Sequence, residues 1–305
     1  MRIGFAVPQF GVFADPDLVP DLSRALEDMG YDSLWVGDRI LGPLAPSDPY
    51  PGGDGVMPQQ YATHLDPLLA LTLAATATER VRLGSSTLNA LWQPPVLLAR
   101  TLTTLDLLSH GRLDVGIGLG WLRDEFTAAG VPWERRGDRL EETLDLLEAI
   151  WASETVEHQG RLWTVPASRI LPKPAQRPRP PILLGGFSPA GLERVGRRGD
   201  GWLATAMPLP HLTGLWSQVL RAAEQAGREP SRLRLVVRVN PTITASPADP
   251  AQTFARGTVG QICDYLRSAV AAGADEVFVD PQLIASSPNE FLDLAKEFIT
   301  NLRAG

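Results

Sequence analysis

Eight short β-branched or aliphatic runs alternate with amphipathic helical stretches along the chain. This alternation restricts the fold more than any other feature, because parallel neighbouring strands need a crossover connection, normally a helix. The runs are Ile3 to Val7, Ser33 to Gly37, Val81 to Thr87, Leu113 to Gly118, Ile182 to Leu184, Gly201 to Thr205, Leu233 to Val239 and Glu276 to Asp280. Most are continuously apolar, as strands covered on both faces should be. Between them, Leu18, Leu22, Leu26 and Met29, and later Leu140, Leu144, Leu147 and Trp151, recur at helical spacing. Asp66-Pro67 reads as an N-cap with proline at the first helical position, Thr258 with Gln261 as a capping box, and Gly30 and Gly273 as helix ends. Eight such units predict an α/β fold of the closed (β/α)8 TIM barrel type, since an open Rossmann-like sheet normally uses about six strands with a glycine fingerprint at its first turn. The 305 residues are read as one domain, 1–305, with insertions in the loops after strands 2, 4 and 7.

Composition narrows the partners. Lys and Arg number 28 against 35 Asp and Glu, a net charge of −7, and the basic clusters are too short to track a nucleic-acid backbone. The apolar run Ile3 to Val7 is shorter than a signal-peptide core of about 7–15 residues, and the uncharged stretch Gly201 to Leu220 is broken by Pro208, Pro210 and His211, so neither export nor a membrane span is expected. Cys263 is the only cysteine, which excludes an internal disulfide and fits the cytoplasm. His64, His110, His158 and His211 are scattered without metal-ligand spacing, so no metal site is expected.

In a barrel of this kind the loops that follow strands build the active face. Asp38 to Leu65, with Gly42, Gly52, Gly53, Gly55 and five prolines, far exceeds the usual connection of about 2–6 residues and is a candidate substrate lid. Pro241 to Gly257 is a similar insertion. Thr155 to Pro181 holds a hairpin, Val156 to Val165, and a proline- and arginine-rich tail, Lys173 to Arg179, that enters strand five at the opposite, stability face. Leu184-Gly185-Gly186-Phe187-Ser188-Pro189 combines a strand end, two glycines, a serine N-cap and a first-turn proline, which makes an anion nest at a helix N-terminus. Gly116-Ile117-Gly118-Leu119-Gly120-Trp121 closes strand four with G-x-G-x-G spacing; its glycines admit a planar ring, and Trp121 supplies a wall.

Ala25 to Trp35 (ALEDMGYDSLW) followed by Gly37-Asp38, Leu65 to Thr87, Ser109 to Phe126 (SHGRLDVGIGLGWLRDEF) and Pro180 to Trp202 together resemble the bacterial luciferase-like monooxygenase superfamily, nearly end to end, and most of all its branch that uses coenzyme F-420. The resemblance implies a flavin- or deazaflavin-binding barrel, often a homodimer, in which a non-prolyl cis peptide falls at Ser86-Thr87 behind the ring. It further implies that Asp38, Gly118, Leu119 and Gly120 lie by the ring, that Gly185, Gly186 and Ser188 hold the cofactor phosphate, and that Ala204 and Thr205 lie beside it. Two departures matter. The sugar-phosphate dehydrogenases of that branch carry histidine where this chain has Arg39 and glutamate where it has Trp121, so their acid–base pair is missing. Arg39 then becomes a candidate anchor for an anionic substrate or developing enolate, His64 a candidate proton donor and Trp121 a substrate-facing wall, while Asn89 and Trp92 are expected to face the pocket. The leading expectation is hydride transfer between coenzyme F-420 and a small organic substrate. An FMN-dependent monooxygenase, using O₂ and reduced flavin from a separate reductase, and a non-catalytic cofactor-binding barrel are the alternatives.

Overall fold

The computed structural model describes residues 1–249, 251 and 253–304. Its strands are β1 (Arg2–Ala6), β2 (Ser33–Val36), β3 (Arg82–Ser85), β4 (Leu88–Asn89), β5 (Leu113–Gly118), β6 (Thr155–Gln159), β7 (Thr164–Arg169), β8 (Ile182–Gly185), β9 (Gly201–Thr205), β10 (Arg234–Val239), β11 (Thr242–Ile243), β12 (Arg256–Gly257) and β13 (Glu276–Val279). The α-helices are α1 (Leu18–Asp28), α2 (Pro67–Ala77), α3 (Pro95–Leu108), α4 (Arg123–Ala128), α5 (Arg136–Ala152), α6 (Pro189–Arg198), α7 (Leu209–Gln225), α8 (Val259–Ala271) and α9 (Pro288–Arg303). Parallel strands run in the order β3, β2, β1, β13, β10, β9, β8, β5, and a β3–β5 pairing closes them into an eight-stranded barrel. The (β/α)8 architecture expected from the alternation is therefore the observed one.

Local signals act where the sequence puts them. The Asp66 carboxylate accepts from the backbone N–H groups of Leu68 and Leu69, and Thr258 and Gln261 form a reciprocal capping box at α8. Gly30 and Gly273 follow α1 and α8 with φ of +92° and +111°, a left-handed exit that glycine adopts without a steric penalty. The third strand departs from its expected span of Val81 to Thr87: β3 stops at Ser85 and β4 resumes at Leu88, with the cis Ser86-Thr87 peptide between them.

The barrel interior is layered. Trp35 stacks on Phe278 with ring centroids 5.0 Å apart, and Leu183, Leu203 and Val236 complete that layer. Below it, at the ends where strands begin, Asp114 is fully buried and paired with Arg82 (2.7 Å) and Arg234 (2.9 Å), and Arg234 also reaches Glu276 (3.0 Å). This polar plug seals one end, leaving the ends where strands finish for chemistry. The connection from β5 to β8 holds α4, α5 and an antiparallel hairpin, β6 with β7, whose tip is held by Glu142 of α5 accepting from the backbone of Leu162 and Trp163. Pro241 to Gly257 carries the short β11–β12 pair.

Candidate active site

Three neighbouring strand ends converge on Thr87. A Cβ added at Gly118 would lie 2.2 Å from Thr87 Oγ1, and one added at Gly185 would lie 3.2 Å from Thr87 Cγ2. The glycines at the ends of β5 and β8 are therefore spaces that the Thr87 side chain uses. Behind it, the Ser86 carbonyl accepts a hydrogen bond from Arg238 Nη1 at 2.8 Å. Of the residues brought together here, Thr87, Leu119 and Gly185 are partly exposed and Gly118 is buried. Gly120 follows with φ +64°.

Asp38, just past β2, accepts from the backbone N–H of Asn89 at 3.0 Å, which places its carboxyl beside the β3–β4 break. Burial pushes its pKa up to about 7; the Asn89 hydrogen bond opposes this, Glu125 and Asp66 reinforce it, and Arg39 opposes it. The neighbouring Arg39 does not point to a free anion site. Its Nη1 lies 3.2 Å from Glu125 Oε2, an ion pair whose angles fall short of a hydrogen bond, and its guanidinium stands 4.9 Å from the Trp121 ring and 5.7 Å from that of Tyr61. Glu125 is itself pushed up by burial, against the pull of Arg39. Glu125, in the first turn of α4 and four residues after Trp121, thus brings a carboxylate to this region.

The loop from Asp38 to Leu65 is stapled to the first turn of α4. Besides Arg39, the backbone N–H of Ile40 donates to Glu125 (3.1 Å), Ser47 N–H to Asp124 (2.9 Å) and Arg123 N–H to Asp48 (2.9 Å). Tyr50 packs edge-on against Trp121, centroids 5.6 Å apart, so Trp121 joins this loop to the barrel.

Across the strand ends, Ser188 caps α6 by accepting from Gly191 N–H at 3.2 Å, while Gly186, φ +152°, is held by Trp202 Nε1 donating to its carbonyl at 3.0 Å. Phe187 and Ser188 are exposed, so the turn at this ten-residue helix is open. On the adjacent strand Ala204 is buried and Thr205 exposed.

Asn89 ends β4 and Trp92 lies in the turn after it, Trp92 N–H donating to Asn89 O at 3.3 Å. The Asn89 amide oxygen accepts from Leu91 N–H, leaving Nδ2 buried without a partner, and Trp92 Nε1 is likewise buried and unpartnered. His64, near the end of the 38–65 loop, forms an isolated antiparallel bridge with Phe10, with Nδ1 3.3 Å from the Tyr61 carbonyl. Residue patterns did not point to Glu125, Arg238, Asp280, Gln9, Gln282, Tyr50 or Tyr61. Position at a strand end was the only available signal for Arg238 and Asp280. Among the described residues no group of three or more His, Cys, Asp or Glu is disposed to hold a metal, and no helix is long and apolar enough to cross a membrane.

Comparison with known proteins agrees with this geometry. The luciferase-like monooxygenase family matches residues 6–286. An uncharacterized protein of Mycobacterium tuberculosis (strain ATCC 25618 / H37Rv) is 33% identical over 207 residues, covering 64% of this chain and 72% of that one. The F-420-dependent glucose-6-phosphate dehydrogenase of Amycolatopsis mediterranei (strain U-32) is 30% identical over 212 residues, 68% of this chain and 58% of that enzyme. Among solved structures, monooxygenase RslO1 from Streptomyces bottropensis superposes with a TM-score of 0.81 at 22% identity, covering 100% of this chain and 99% of that one. An F-420-dependent secondary alcohol dehydrogenase in complex with an F-420-acetone adduct does so at 0.78 and 19%, covering 99% of each. At those identities the structures speak to the fold. With the barrel and its strand-end surface, the match over residues 6–286 makes this chain a member of the luciferase-like monooxygenase family.

Proposed function

We propose that this protein is an oxidoreductase that transfers a hydride between coenzyme F-420 and a small organic substrate. The observation that carries the reading is the Asp38–Asn89 contact: a carboxyl whose pKa is pushed up to about 7 is tied to the β3–β4 break, next in sequence to Thr87, on which the glycine-bearing ends of β5 and β8 converge. The residues present fit a planar cofactor with an anionic arm. Cβ-free positions at Gly118 and Gly185 flank Thr87, the open Gly186–Ser188 turn leads into α6, and the buried donors Asn89 Nδ2 and Trp92 Nε1 lack partners. Similarity to curated F-420-dependent dehydrogenases supports the deazaflavin over FMN.

When bound, the deazaflavin supplies a ring carbon that gives or takes a hydride. Thr87 and the Gly118–Leu119–Gly120–Trp121 loop would hold the ring, and Gly185, Gly186 and Ser188 the phosphate, through backbone N–H groups and the positive end of the α6 dipole. Ala204 and Thr205 border that phosphate position. Asp38 holds or releases a proton at its carboxyl oxygen near neutral pH, the range in which a general acid or base works best. Arg39, neutralised by Glu125, orients the lid and Trp121 and so helps exclude water.

Paired tryptophan-fluorescence titrations with coenzyme F-420 and with FMN test the reading. The expected result is tight F-420 binding, weak FMN binding, and a loss of F-420 affinity of about tenfold or more in Gly186→Leu, which forces a bulky side chain into a left-handed φ beside the nest. The reverse preference would turn the reading to an FMN-dependent monooxygenase, checked by O₂ consumption with a flavin reductase. Binding of neither would leave a non-catalytic barrel.

A further inference from the structure

The mouth of the barrel carries a hydrogen-bond circuit that returns on itself. Arg238, near the end of β10, donates from Nη1 to the Ser86 carbonyl (2.8 Å) and from Nη2 to Asp280 Oδ2 (2.6 Å). Asp280 Oδ1 accepts from Gln282 Nε2 at 3.0 Å. Gln282 Oε1 accepts in turn from the backbone N–H of Gln9 (2.6 Å) and of Phe10 (3.0 Å). The Gln9 side chain then clamps Gly37 from both sides, taking its N–H (2.6 Å) and donating to its carbonyl (3.0 Å). Gly37 leads directly into Asp38, whose carboxyl accepts from Asn89 N–H, three residues past Ser86, and this closes the loop. The circuit ties together the ends of β10, β13, β1, β2 and the β3–β4 break. It is nearly dry: Gln9, Gln282 and Asp280 are 0%, 2% and 4% exposed.

A buried polar chain of this kind is a poor way to stabilise a barrel, because desolvation consumes most of what its hydrogen bonds return, and apolar side chains of similar volume serve at least as well. What such a chain does supply is geometry. Each link is a hydrogen bond held at a set distance, so no strand end can shift without breaking one. The two features that the circuit joins, the Ser86-Thr87 segment and Asp38, are those on which the proposed function rests.

We infer that Arg238 is a positioning residue: through Ser86 on one side and the Asp280–Gln282–Gln9–Gly37 relay on the other, it holds the Thr87 bed and the Asp38 carboxyl in one frame. This deepens the F-420 reading and rests on it for its purpose, while the geometry stands on its own. The charged groups that face Asp38, namely Glu125 of α4, Asp66 at the cap of α2 and the adjacent Arg39, lie outside the circuit and are left in place by cutting it.

Two variants cut the circuit differently. Arg238→Met/Asp280→Leu removes both charges together and leaves no uncompensated ion. Gln282→Met breaks the neutral link. Ser33→Ala, which removes a buried hydrogen bond to Glu276 at the other end of the barrel, is the control for simple destabilisation. The first readout is the Asp38 titration followed by carboxyl-carbon NMR of the protein without cofactor. Cutting the circuit lets the carboxyl reach water, so the midpoint falls by about one pH unit or more in both circuit variants and stays in place in Ser33→Ala. The second readout is F-420 affinity, expected to fall about tenfold or more in the circuit variants alone. Folded circuit variants that keep the wild-type Asp38 midpoint would overturn the inference. If the wild type binds no F-420, the functional reading fails, and the titration still decides whether the circuit positions Asp38.

Discussion

The strand-end surface makes a steric claim that a double-mutant cycle can test. In Gly118→Ala the new Cβ lands 2.2 Å from Thr87 Oγ1, about 1 Å inside an ordinary contact, and rotating the Thr87 side chain does not fully relieve it because Thr87 Cβ itself lies 3.1 Å away and Cγ2 3.5 Å. The clash is therefore shared between side-chain distortion and backbone shift, at a cost of about 2–3 kcal/mol, the upper part of the range for overpacking. In Thr87→Ala both offending atoms are gone and only Cβ remains, 3.1 Å from the new methyl, a contact relieved by a few tenths of an ångström. That single variant loses a small contact worth about 1 kcal/mol. The double variant Gly118→Ala/Thr87→Ala is then expected to be more stable than the sum of the singles by about 1–2 kcal/mol in urea denaturation. Gly116→Ala provides the contrast, since its Cβ would meet the Ser85 carbonyl at 1.7 Å, a backbone atom that no change at Thr87 removes. Strict additivity of Gly118→Ala and Thr87→Ala, or rescue of Gly116→Ala by Thr87→Ala, would refute the reasoning.

Asp38 and Glu125 carry further predictions. The Asp38 pKa is raised in the fold from 3.8 to about 7, so the folded chain holds that proton more tightly than the unfolded one; the associated stability is present below about pH 4 and lost as pH rises through 7. That gap corresponds to about 4 kcal/mol at roughly 1.4 kcal/mol per pH unit, and to about 2 kcal/mol after allowance for the accessible part of the side chain. Asp38→Asn is therefore expected to exceed the wild type by about 2 kcal/mol at pH 8 and to match it at pH 4; a difference independent of pH would count against burial as the cause. Glu125→Gln leaves the largely buried Arg39 guanidinium without its counter-charge, at a cost of about 3 kcal/mol, and frees the 38–65 loop, so limited proteolysis within 40–60 should accelerate. An unchanged cleavage rate would mean that the ion pair does not hold the 38–65 loop.

Much of this architecture could be read from the chain alone. Hydrophobic period and capping chemistry are local: the Thr258–Gln261 box, the Asp66 cap and the Leu140–Trp151 stripe each lie within one helix, where neighbours in sequence are neighbours in space. The glycine motifs at the ends of β5 and β8 were visible as well, although what fills the Gly118 space, Thr87 from a third strand, was not. Arg39 looked like a free cation because nothing adjacent in the chain pairs with it. Its partner, Glu125, is 86 residues away and arrives only because α4 follows β5 across the barrel mouth.

The sequence by itself determined the alternation of strands and helices, the closure into eight units and the two glycine-rich strand ends, because each follows from side-chain period or backbone freedom over a few residues. Tertiary structure alone decided where charge and protons reside. Asp38 near neutrality, Arg39 neutralised by Glu125, and the Arg238–Asp280–Gln282–Gln9 relay all depend on burial and on partners from distant strands. Electrostatic effects act through space and strengthen where water is excluded, and neither distance nor water access is written in residue order.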